Sequence, residues 1–449
     1  MATSYLTRAA QTATSNTTAT ISAWIKRSHV GTSGGGTVWM HENVATHNNK
    51  LLLFFSGAVD QISMQSYNGS AEYILTPTRK LRDVNGWYHI VAIWNTTAST
   101  TADRMQIWIN GVRETSFTTA NYPSQNATVD LSTKAHQIGR YVGSGGVSNY
   151  WDGYMTQFVY ADGQAYDASY FGETDANGVW KPKTDLSGLT YGNRGVWLKM
   201  EDSSNLGLDS SGNSNNYTNS GVTQTQDNPS HVFATWNPLE QANNNFSYAN
   251  GNTYSNISFA SGYNYVTSTL GAATGKYYCE MKANTTSGSN KWLFGIATHE
   301  SLPADADYLG KDFDAYGYRC SNGNYYNNDT TTVYGNSCVA GDIVGVAMDL
   351  DNNRLFFSVN GVWQNSADPT SSTGAISIVS PSSTLTGFYH FAWGDIDATG
   401  VHTMYANFGN GYFGTTAVSS AGTNASGNGI FEYDCPTGYT ALSTKGLNL

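Results

Sequence analysis

Glycoside hydrolysis needs two facing carboxyl groups, and the acidic residues of this sequence are not spaced to supply them. Glycosidases hold the pair about 5 Å or about 6.5–9.5 Å apart, depending on the stereochemical outcome. On one strand face such acids would stand at alternate positions, as in ExDxxE, and none of the nine glutamates does so. Glu201 and Asp202 are adjacent, so in a strand they would point to opposite faces. The pattern disfavours a glycosidase and predicts no catalytic residue.

The histidines and cysteines do not form a zinc-binding pattern either. His41-Glu42 begins like a zinc protease motif, but the next histidine is His47, which breaks the four-residue helical spacing. The cysteines include no CxxC pair, so we expect no structural zinc; they are Cys279, Cys320, Cys338 and Cys435. Cys320 and Cys338 could meet across one loop, but the favoured interpretation is that all four are buried free thiols.

Other segments only begin like known ion or phosphate sites. Asp349, Asp351 and Asn353 follow the opening of an EF-hand loop, but Arg354 stands where that loop requires glycine. The glycine runs at 34–36 and 143–146 precede neither a Lys-Ser/Thr pair nor a helix start, so they are not phosphate-binding loops. We therefore expect no metal ligands and no cofactor from these motifs.

Aromatic residues in polar, glycine-rich surroundings are the remaining candidates for binding. Sugars pack their C–H faces on aromatic rings, while their hydroxyl groups need amide or carboxylate partners. The candidates for carbohydrate or partner binding are Tyr150, Trp151, Tyr325, Tyr326, Tyr334 and Trp363. For each of them the alternative is hydrophobic packing beneath a long loop.

The composition indicates an all-β protein. Only 12% of the 449 residues are charged, whereas Gly (47) and Tyr (30) are abundant. Such a chain suits short strands and tight turns better than helices, whose surfaces need Glu, Lys and Arg. The net charge of −11 and the lack of a basic cluster argue against nucleic acid as a partner. We found neither a signal peptide nor a stretch of membrane-spanning length, so we expect no membrane insertion.

Two hairpins of the same kind stand 250 residues apart. Residues 87–95 (WYHIVAIWN) are apolar on both faces, as in a central strand, and residues 105–109 alternate with a period of two. Asn110-Gly111 closes this hairpin, because both residues tolerate a positive φ. Residues 343–349 begin the second hairpin, which Asn360-Gly361 closes in the same way. We therefore predict two antiparallel, jelly-roll-like β-sandwiches in series.

The polar stretch at 222–250 separates the two predicted sandwiches. Pro229 and Pro238 interrupt any strand ladder there. We place the first domain at residues 1–237 and the second at residues 238–449. Heptads and collagen-like triplets do not occur, so the sequence contains no fibrous shaft.

Short motifs in the first half occur in a recognisable order. They are ISAWIKR (21–27), WYH (87–89), IG (138–139), WDGY (151–154), ADGQ (161–164), FGETD (171–175), GVWKP (178–182), DSSGN (209–213) and DNPSHVF (227–233). In this order they resemble the laminin-G-like branch of the concanavalin A-like sandwiches. The segment 171–182 looks like the form common in marine phage and bacterial genomes. Domains of this family sometimes hold calcium at the sandwich rim, and Asp152 or Asp162 could serve here.

The second half carries another ordered set of motifs. They are GKYYCE (275–280), FGIA (294–297), YGY (316–318), GDIVGV (341–346), the hairpin at 349–361, ANFG (406–409) and the tail 436–445. In this order they resemble a SPRY domain, and the tail is similar to phage versions. By this resemblance, Tyr325, Tyr326, Tyr334 and Trp363 would border the binding face.

Both resemblances imply binding by loops at the rim of a rigid sandwich rather than catalysis. The resulting hypothesis is a non-enzymatic protein on the virion surface, synthesised in the host bacterial cytoplasm. It would be a tail-fibre or receptor-binding protein that recognises host cell-surface polysaccharide and contacts other virion proteins. Homotrimers are common in phage fibres, although this sequence does not specify three chains. The alternatives are a capsid decoration or fibre-assembly protein, and less favourably a bacterial adhesin or a glycosidase.

Overall fold

The computed structural model describes residues 3–31, 36–42, 50–56, 59–130, 132, 134–143, 146–239, 246–258, 263–286, 290–299, 307–396 and 400–448. Over these ranges the chain is all-β, as predicted, with no α-helix and none of its helical turns long and apolar enough to cross a membrane. The helical turns are short 3-10 segments at Thr101–Asp103, Ala168–Tyr170, Gln364–Ser366, Pro381–Ser383 and Gly446–Asn448.

The chain forms two compact units, and the first consists of residues 1–224. Its strands are β1 (Tyr5–Arg8), β2 (Thr18–Arg27), β3 (Thr37–Glu42), β4 (Lys50–Ser56), β5 (Gln61–Tyr67), β6 (Glu72–Pro77), β7 (Trp87–Asn95), β8 (Met105–Ile109), β9 (Val112–Arg113), β10 (Phe117–Asn121), β11 (Ala135–Ile138), β12 (Tyr141–Gly143), β13 (Gly146–Ser148), β14 (Gly153–Asp162), β15 (Gly172–Thr174), β16 (Trp180–Pro182), β17 (Val196–Leu198) and β18 (Thr218–Ser220). An eight-stranded sheet has the order β10-β6-β5-β4-β3-β11-β1-β18, and a six-stranded sheet has the order β17-β14-β2-β7-β8-β9.

The predicted central strand of unit 1 is confirmed, and its two apolar faces have separate partners. Ile90 on β7 packs into the core between the two sheets, whereas Val91 packs into a second cluster with Phe171 and Trp197. That second cluster covers the outer face of the six-stranded sheet, which is why β7 does not alternate with polar residues. The turn at Asn110-Gly111 has φ values of 49° and 81°, as the hairpin prediction required.

Unit 2 consists of residues 225–449. Its strands are β19 (Phe246–Ala249), β20 (Tyr254–Ser258), β21 (Tyr265–Ala272), β22 (Lys276–Thr286), β23 (Trp292–Ala297), β24 (Ala315–Arg319), β25 (Asn324–Asn327), β26 (Thr330–Val333), β27 (Ile343–Asp349), β28 (Arg354–Val359), β29 (Val362–Trp363), β30 (Ile376–Ser377), β31 (Tyr389–Asp395), β32 (Val401–Asn407), β33 (Tyr412–Phe413), β34 (Thr416–Ala417) and β35 (Thr440–Ala441). One sheet runs β19-β20-β32-β22-β27-β28-β29, with β30 beside β28 and β35 parallel to β22. The other runs β21-β31-β23-β24-β25-β26.

The second predicted hairpin is also confirmed. β27 is buried on both faces and pairs with β28, where Leu355 and Phe357 face the core between the sheets and Phe356 faces outward. Outside the nine-stranded sheet, the C-terminal segment supplies Phe431 and Tyr439 to a second apolar cluster. The tail of the chain is therefore part of the folded second unit.

The division between the units falls after Gln224, whereas we placed the first domain at residues 1–237. Residues 225–237 pack with the second unit: Phe233 and Trp236 are buried in its apolar clusters. Their backbones form isolated bridges to Ser443 and Ser268, respectively. The prolines marked a break in regular strands, but the aromatic residues between them decide which core the segment joins.

Cys320 and Cys338 form a disulfide, which corrects the interpretation of four free thiols. Cys320 follows β24 and Cys338 follows β26, and the amide of Cys338 donates to the carbonyl of Cys320 at 2.7 Å. The Cα atoms of Cys320 and Cys338 are 4.6 Å apart, within the range that a disulfide needs. Cys279 and Cys435 are free and buried, as predicted.

We expect reduction of Cys320–Cys338 to destabilise unit 2 by about 3 kcal/mol, because the bridge closes a loop of 18 residues in the unfolded chain. Thermal unfolding with and without reductant measures the effect, and unit 1 should not respond. The variant Cys279→Ala/Cys435→Ala is the control and should keep the full response. Four titratable thiols in the unreduced, denatured wild type would contradict the disulfide.

Candidate functional site

The two aromatic candidates in unit 1 have different environments. Trp151 is half-buried against the core, where its ring stacks on Phe55 with centroids 5.7 Å apart. Tyr150 lies 6.5 Å from Tyr5, over whose ring the Arg140 guanidinium sits at 3.3 Å. Trp151 is thus a packing residue, and Tyr150 belongs to a half-exposed group of two tyrosines and an arginine.

The four candidates in unit 2 do not converge on one site. Tyr325 and Tyr326 are neighbours on β25, so Tyr325 packs toward the inner core and Tyr326 toward the outer face. Tyr334 is 5% exposed and lies 5.9 Å from Tyr325 inside the core. Trp363 packs near Tyr278, outside the other sheet. Of these four candidates, only Tyr326 presents its ring on the outer face of the six-stranded sheet of unit 2. Ligand binding by the four residues stays a prediction.

Tyr326 is part of a polar aromatic cluster, which we call the tyrosine surface: Tyr308, Arg319, Tyr326 and Asp329. The rings of Tyr308 and Tyr326 meet edge to face with centroids 5.8 Å apart. Arg319 Nη1 donates to the hydroxyl of Tyr326 at 2.7 Å, and the hydroxyl of Tyr308 donates to Asp329. Burial opposes ionisation of Tyr326, but hydrogen bonds, led by that from Arg319, outweigh it and lower its pKa. The surface combines aromatic faces with a cation and a carboxylate.

Sequence reasoning missed three members of this surface, Tyr308, Arg319 and Asp329. Tyr308 comes from the segment between β23 and β24, 18 residues before Tyr326, and no periodicity connects them. Arg319 ends β24, whose pairing with β25 sets Gly317 opposite Tyr326. A correct β24–β25 register would have placed Arg319 beside Tyr326, since diagonal neighbours on one strand face are within reach of long side chains.

A buried polar centre lies inside unit 1. Arg8, His136 and His41 stand in register across β1, β11 and β3, and the two imidazole centroids are 4.1 Å apart. Arg194 and Asp162, both fully buried, form an ion pair at 2.7 Å. Burial, reinforced by the nearby positive charges, holds the pKa values of His41 and His136 well below 6.5. The centre therefore contains two neutral histidines between two charged arginines.

Asp162, which the sequence offered as a possible calcium ligand, forms hydrogen bonds within this buried polar centre. Burial alone would raise its pKa, but hydrogen bonds and charge from Arg194 outweigh burial and lower it. Both carboxylate oxygens accept hydrogen bonds from Arg194, so Asp162 is not a rim ligand for calcium. Asp152 instead approaches His29 at 3.3 Å. Within the ranges that the structure describes, His, Cys, Asp and Glu side chains form no group of three that could hold a metal.

Among the residues that the structure describes, Glu280 has a pKa that would suit a general acid. Burial raises it to about 7. However, its carboxylate accepts hydrogen bonds from the amides of Glu432 and Tyr433, both at 2.8 Å, and from Asn407 Nδ2 at 3.1 Å. Glu280 thus holds the C-terminal segment against β22, which is a structural role.

The two sandwiches, each with its own core, agree with the comparisons with known families. A model of the concanavalin A-like lectin/glucanases superfamily, Laminin_G_3, matches residues 1–162. A SPRY domain model matches residues 276–373. The chain therefore contains a concanavalin A-like Laminin_G_3 domain followed by a SPRY domain. Domains of these two kinds are typically non-catalytic binding domains.

The solved structures to which this chain is similar have low sequence identity to it. The SPRY domain of human HERC1 is 16% identical, with 38% of this chain and 96% of that chain covered at a TM-score of 0.29. A second human SPRY domain is 17% identical, with 36% and 94% covered and a TM-score of 0.27. The heptameric SAP-like pentraxin of Limulus polyphemus is 15% identical, with 36% and 71% covered and a TM-score of 0.27. No curated protein matches the chain.

We expect acid to destabilise unit 1. His41, His89 and His136 are buried with lowered pKa values, so below pH 6.5 the unfolded chain binds protons that the folded unit does not. Stability should be complete above pH 6.5 and fall by about 1.4 kcal/mol per pH unit for each histidine as the pH drops toward 5. Hydrogen exchange of β3 and β11 at several pH values measures this loss.

His41→Phe should reduce this pH dependence, because it removes one buried imidazole whose pKa is lowered. The change should be tolerated, because neither ring nitrogen of His41 has a hydrogen-bond partner among the described residues. Tyr170→Phe, at an exposed position of unit 1, is the control because it leaves every histidine in place. It should leave the pH dependence as in the wild type. If the stability of His41→Phe falls with pH as steeply as that of the wild type, His41 does not contribute to the acid sensitivity.

Proposed function

We propose that this chain is a non-enzymatic surface protein of a bacteriophage particle, a tail-fibre or receptor-binding protein that recognises a glycan of the host cell. The tyrosine surface is the observation that carries the proposal, because it offers aromatic faces beside charged hydrogen-bonding groups. The binding character of both domain families supports it. The segments at 171–182 and 436–445, which resemble phage forms, support the assignment to a virus particle.

Recognition of a sugar at the tyrosine surface would use two kinds of contact. The C–H face of a sugar ring would pack on the rings of Tyr308 and Tyr326. Arg319 would donate to ring hydroxyls and Asp329 would accept from them, and charged partners make stronger hydrogen bonds than neutral ones. Such a site binds one sugar weakly. Display in several copies, as in a homotrimer on the virion, would raise the overall affinity for a repeating host polysaccharide.

The position of the protein on the particle separates this proposal from its alternative. We expect an antibody or gold label on the C-terminus to decorate tails in electron micrographs of intact phage. Label on heads would instead identify a capsid decoration protein whose partners are other virion proteins. Absence from purified particles would overturn the assignment to the virion altogether.

We expect Tyr326→Ala to weaken binding to bacterial surface polysaccharides by about tenfold, because it removes the ring on which a sugar would stack. Biolayer interferometry of the full chain on an array of such polysaccharides measures the change. The matched control is Tyr170→Ala in unit 1, which removes a tyrosine that is 45% exposed outside the tyrosine surface. Equal binding by Tyr326→Ala and the wild type would exclude this surface, and a wild type that binds no polysaccharide would exclude glycan recognition.

A further inference from the structure

Unit 2 contains a pocket of about 340 Å³ that the sequence motifs did not indicate. It lies where β22 begins, beside the turn after β27 and the C-terminal segment. The lining residues are Gly275, Lys276, Tyr277, Asp351, Ala425, Ser426, Gly438, Tyr439, Thr440 and Gly446. Six of them come from residues 425–446, beyond the segment 276–373 that matches the SPRY model, so the pocket depends on the tail of this chain.

Tyr277 places an unpaired hydroxyl group in this lining. Its side chain is 4% exposed, yet its hydroxyl has no hydrogen-bond partner among the described residues. The hydroxyl is not among the fully buried, unpartnered polar atoms of the described residues, so it opens onto the pocket, where a ligand oxygen can accept a hydrogen bond from it. Burial and the neighbouring Asp351 carboxylate raise the pKa of Tyr277, so this hydroxyl keeps its proton and can donate. Gly275 keeps the group accessible, because a methyl group there would come within 2.7 Å of it.

Two charged side chains are held in place at the same pocket. Asp351 accepts a hydrogen bond from the amide of Gly275 at 2.7 Å through Oδ1, which leaves Oδ2 for a ligand. Lys276 Nζ pairs with Asp349 at 3.1 Å and retains further N–H donors. A ligand in this pocket would therefore meet a fixed acceptor and a fixed donor.

The wall formed by the C-terminal segment is anchored at several points. β35 pairs with the start of β22, with Thr440 opposite Tyr277. Asn428 Nδ2 donates to the hydroxyl of Thr440 at 2.6 Å, which leaves the Thr440 proton available to a ligand. Ser426 donates to Asn424. Because these contacts exist before any ligand binds, little ordering is needed on binding.

Charge and size narrow the class of ligand. Lys276 carries one positive charge against the two carboxylates of Asp349 and Asp351, so the pocket is net negative and repels acidic groups. The volume is at the small end of the about 300–1,000 Å³ typical of ligand pockets, which suits one ring rather than a chain of sugars. Hydroxyl groups both donate and accept, and so can satisfy a carboxylate, an ammonium and two hydroxyls at once.

We propose that this pocket binds one neutral hexose unit, with its hydroxyls on Tyr277, Lys276 and Asp351. This inference rests on the proposed glycan recognition and adds a second site, which lies at the other sheet of unit 2 from the tyrosine surface. The subsite would accept neutral monosaccharides and reject uronic acids.

Saturation-transfer NMR and calorimetry on the full chain test this subsite with glucose, galactose, mannose, N-acetylglucosamine and glucuronic acid. We expect millimolar binding of at least one neutral sugar and none of glucuronic acid. Tyr277→Phe removes only the hydroxyl and should weaken that binding about fivefold, as should Asp351→Asn. Tyr405→Phe, outside the pocket, and Tyr326→Ala, on the tyrosine surface, are the controls and should bind the monosaccharide like the wild type.

The outcomes separate this inference from the proposed function. If the wild type binds surface polysaccharide but no monosaccharide, the subsite is excluded and glycan recognition stands. The same holds if folded Tyr277→Phe and Asp351→Asn bind as well as the wild type, or if glucuronic acid binds best. If the wild type binds neither polysaccharide nor monosaccharide, both proposals fail. Wild-type selectivity for neutral over acidic sugars tests the charge argument even if a variant does not fold.

Discussion

Burial of both faces of a sheet is the constraint on which each unit depends. The strands that begin the two recognised hairpins, β7 and β27, are apolar on both sides, so an inner core alone cannot cover them. In unit 1 the segment after β14 covers the outer face with Phe171 and Leu186, and in unit 2 the C-terminal segment does so with Phe431 and Tyr439. Loops and tails that look like connections in the sequence are therefore part of the packing, and ligand contacts are left to the remaining outer surface and the strand ends.

The buried charges follow from the same packing. Arg194 and Asp162 are fully buried, and such a pair is tolerated only where geometry and further hydrogen bonds offset the loss of water. Asp162 also accepts from the amide of Thr14, and Arg194 also donates to the carbonyl of Ser15, so the pair joins the N-terminal segment to the end of β14. Glu280 joins the C-terminal segment to β22 in a comparable way, through two backbone amides. In both units perturbed carboxyl groups hold a terminal segment in place, which is a structural cause of a shifted pKa and no sign of catalysis.

The two candidate binding regions of unit 2 contain the same kinds of side chain. Each combines tyrosine side chains with one cation and at least one carboxylate: Arg319 and Asp329 at the tyrosine surface, Lys276 and Asp351 at the pocket. Hydroxyl-rich ligands suit such surroundings, because they satisfy donors and acceptors without bringing a charge of their own. The two regions lie on different sheets of unit 2, so they would make separate contacts with a glycan.

The amino-acid sequence by itself determined the all-β class, two sandwiches and both Asn-Gly hairpins, because strand periodicity and turn chemistry act between neighbouring residues. Tertiary structure decided the rest. Trp236, between two prolines, joins the second core, and Cys320 and Cys338 meet because β24 and β26 end near each other. Tyr325 and Tyr326 looked alike in the sequence, but strand alternation sends one inward and one outward. Tyr308 and the pocket walls come from distant segments, and their proximity depends on strand register and tail docking, which no local pattern encodes.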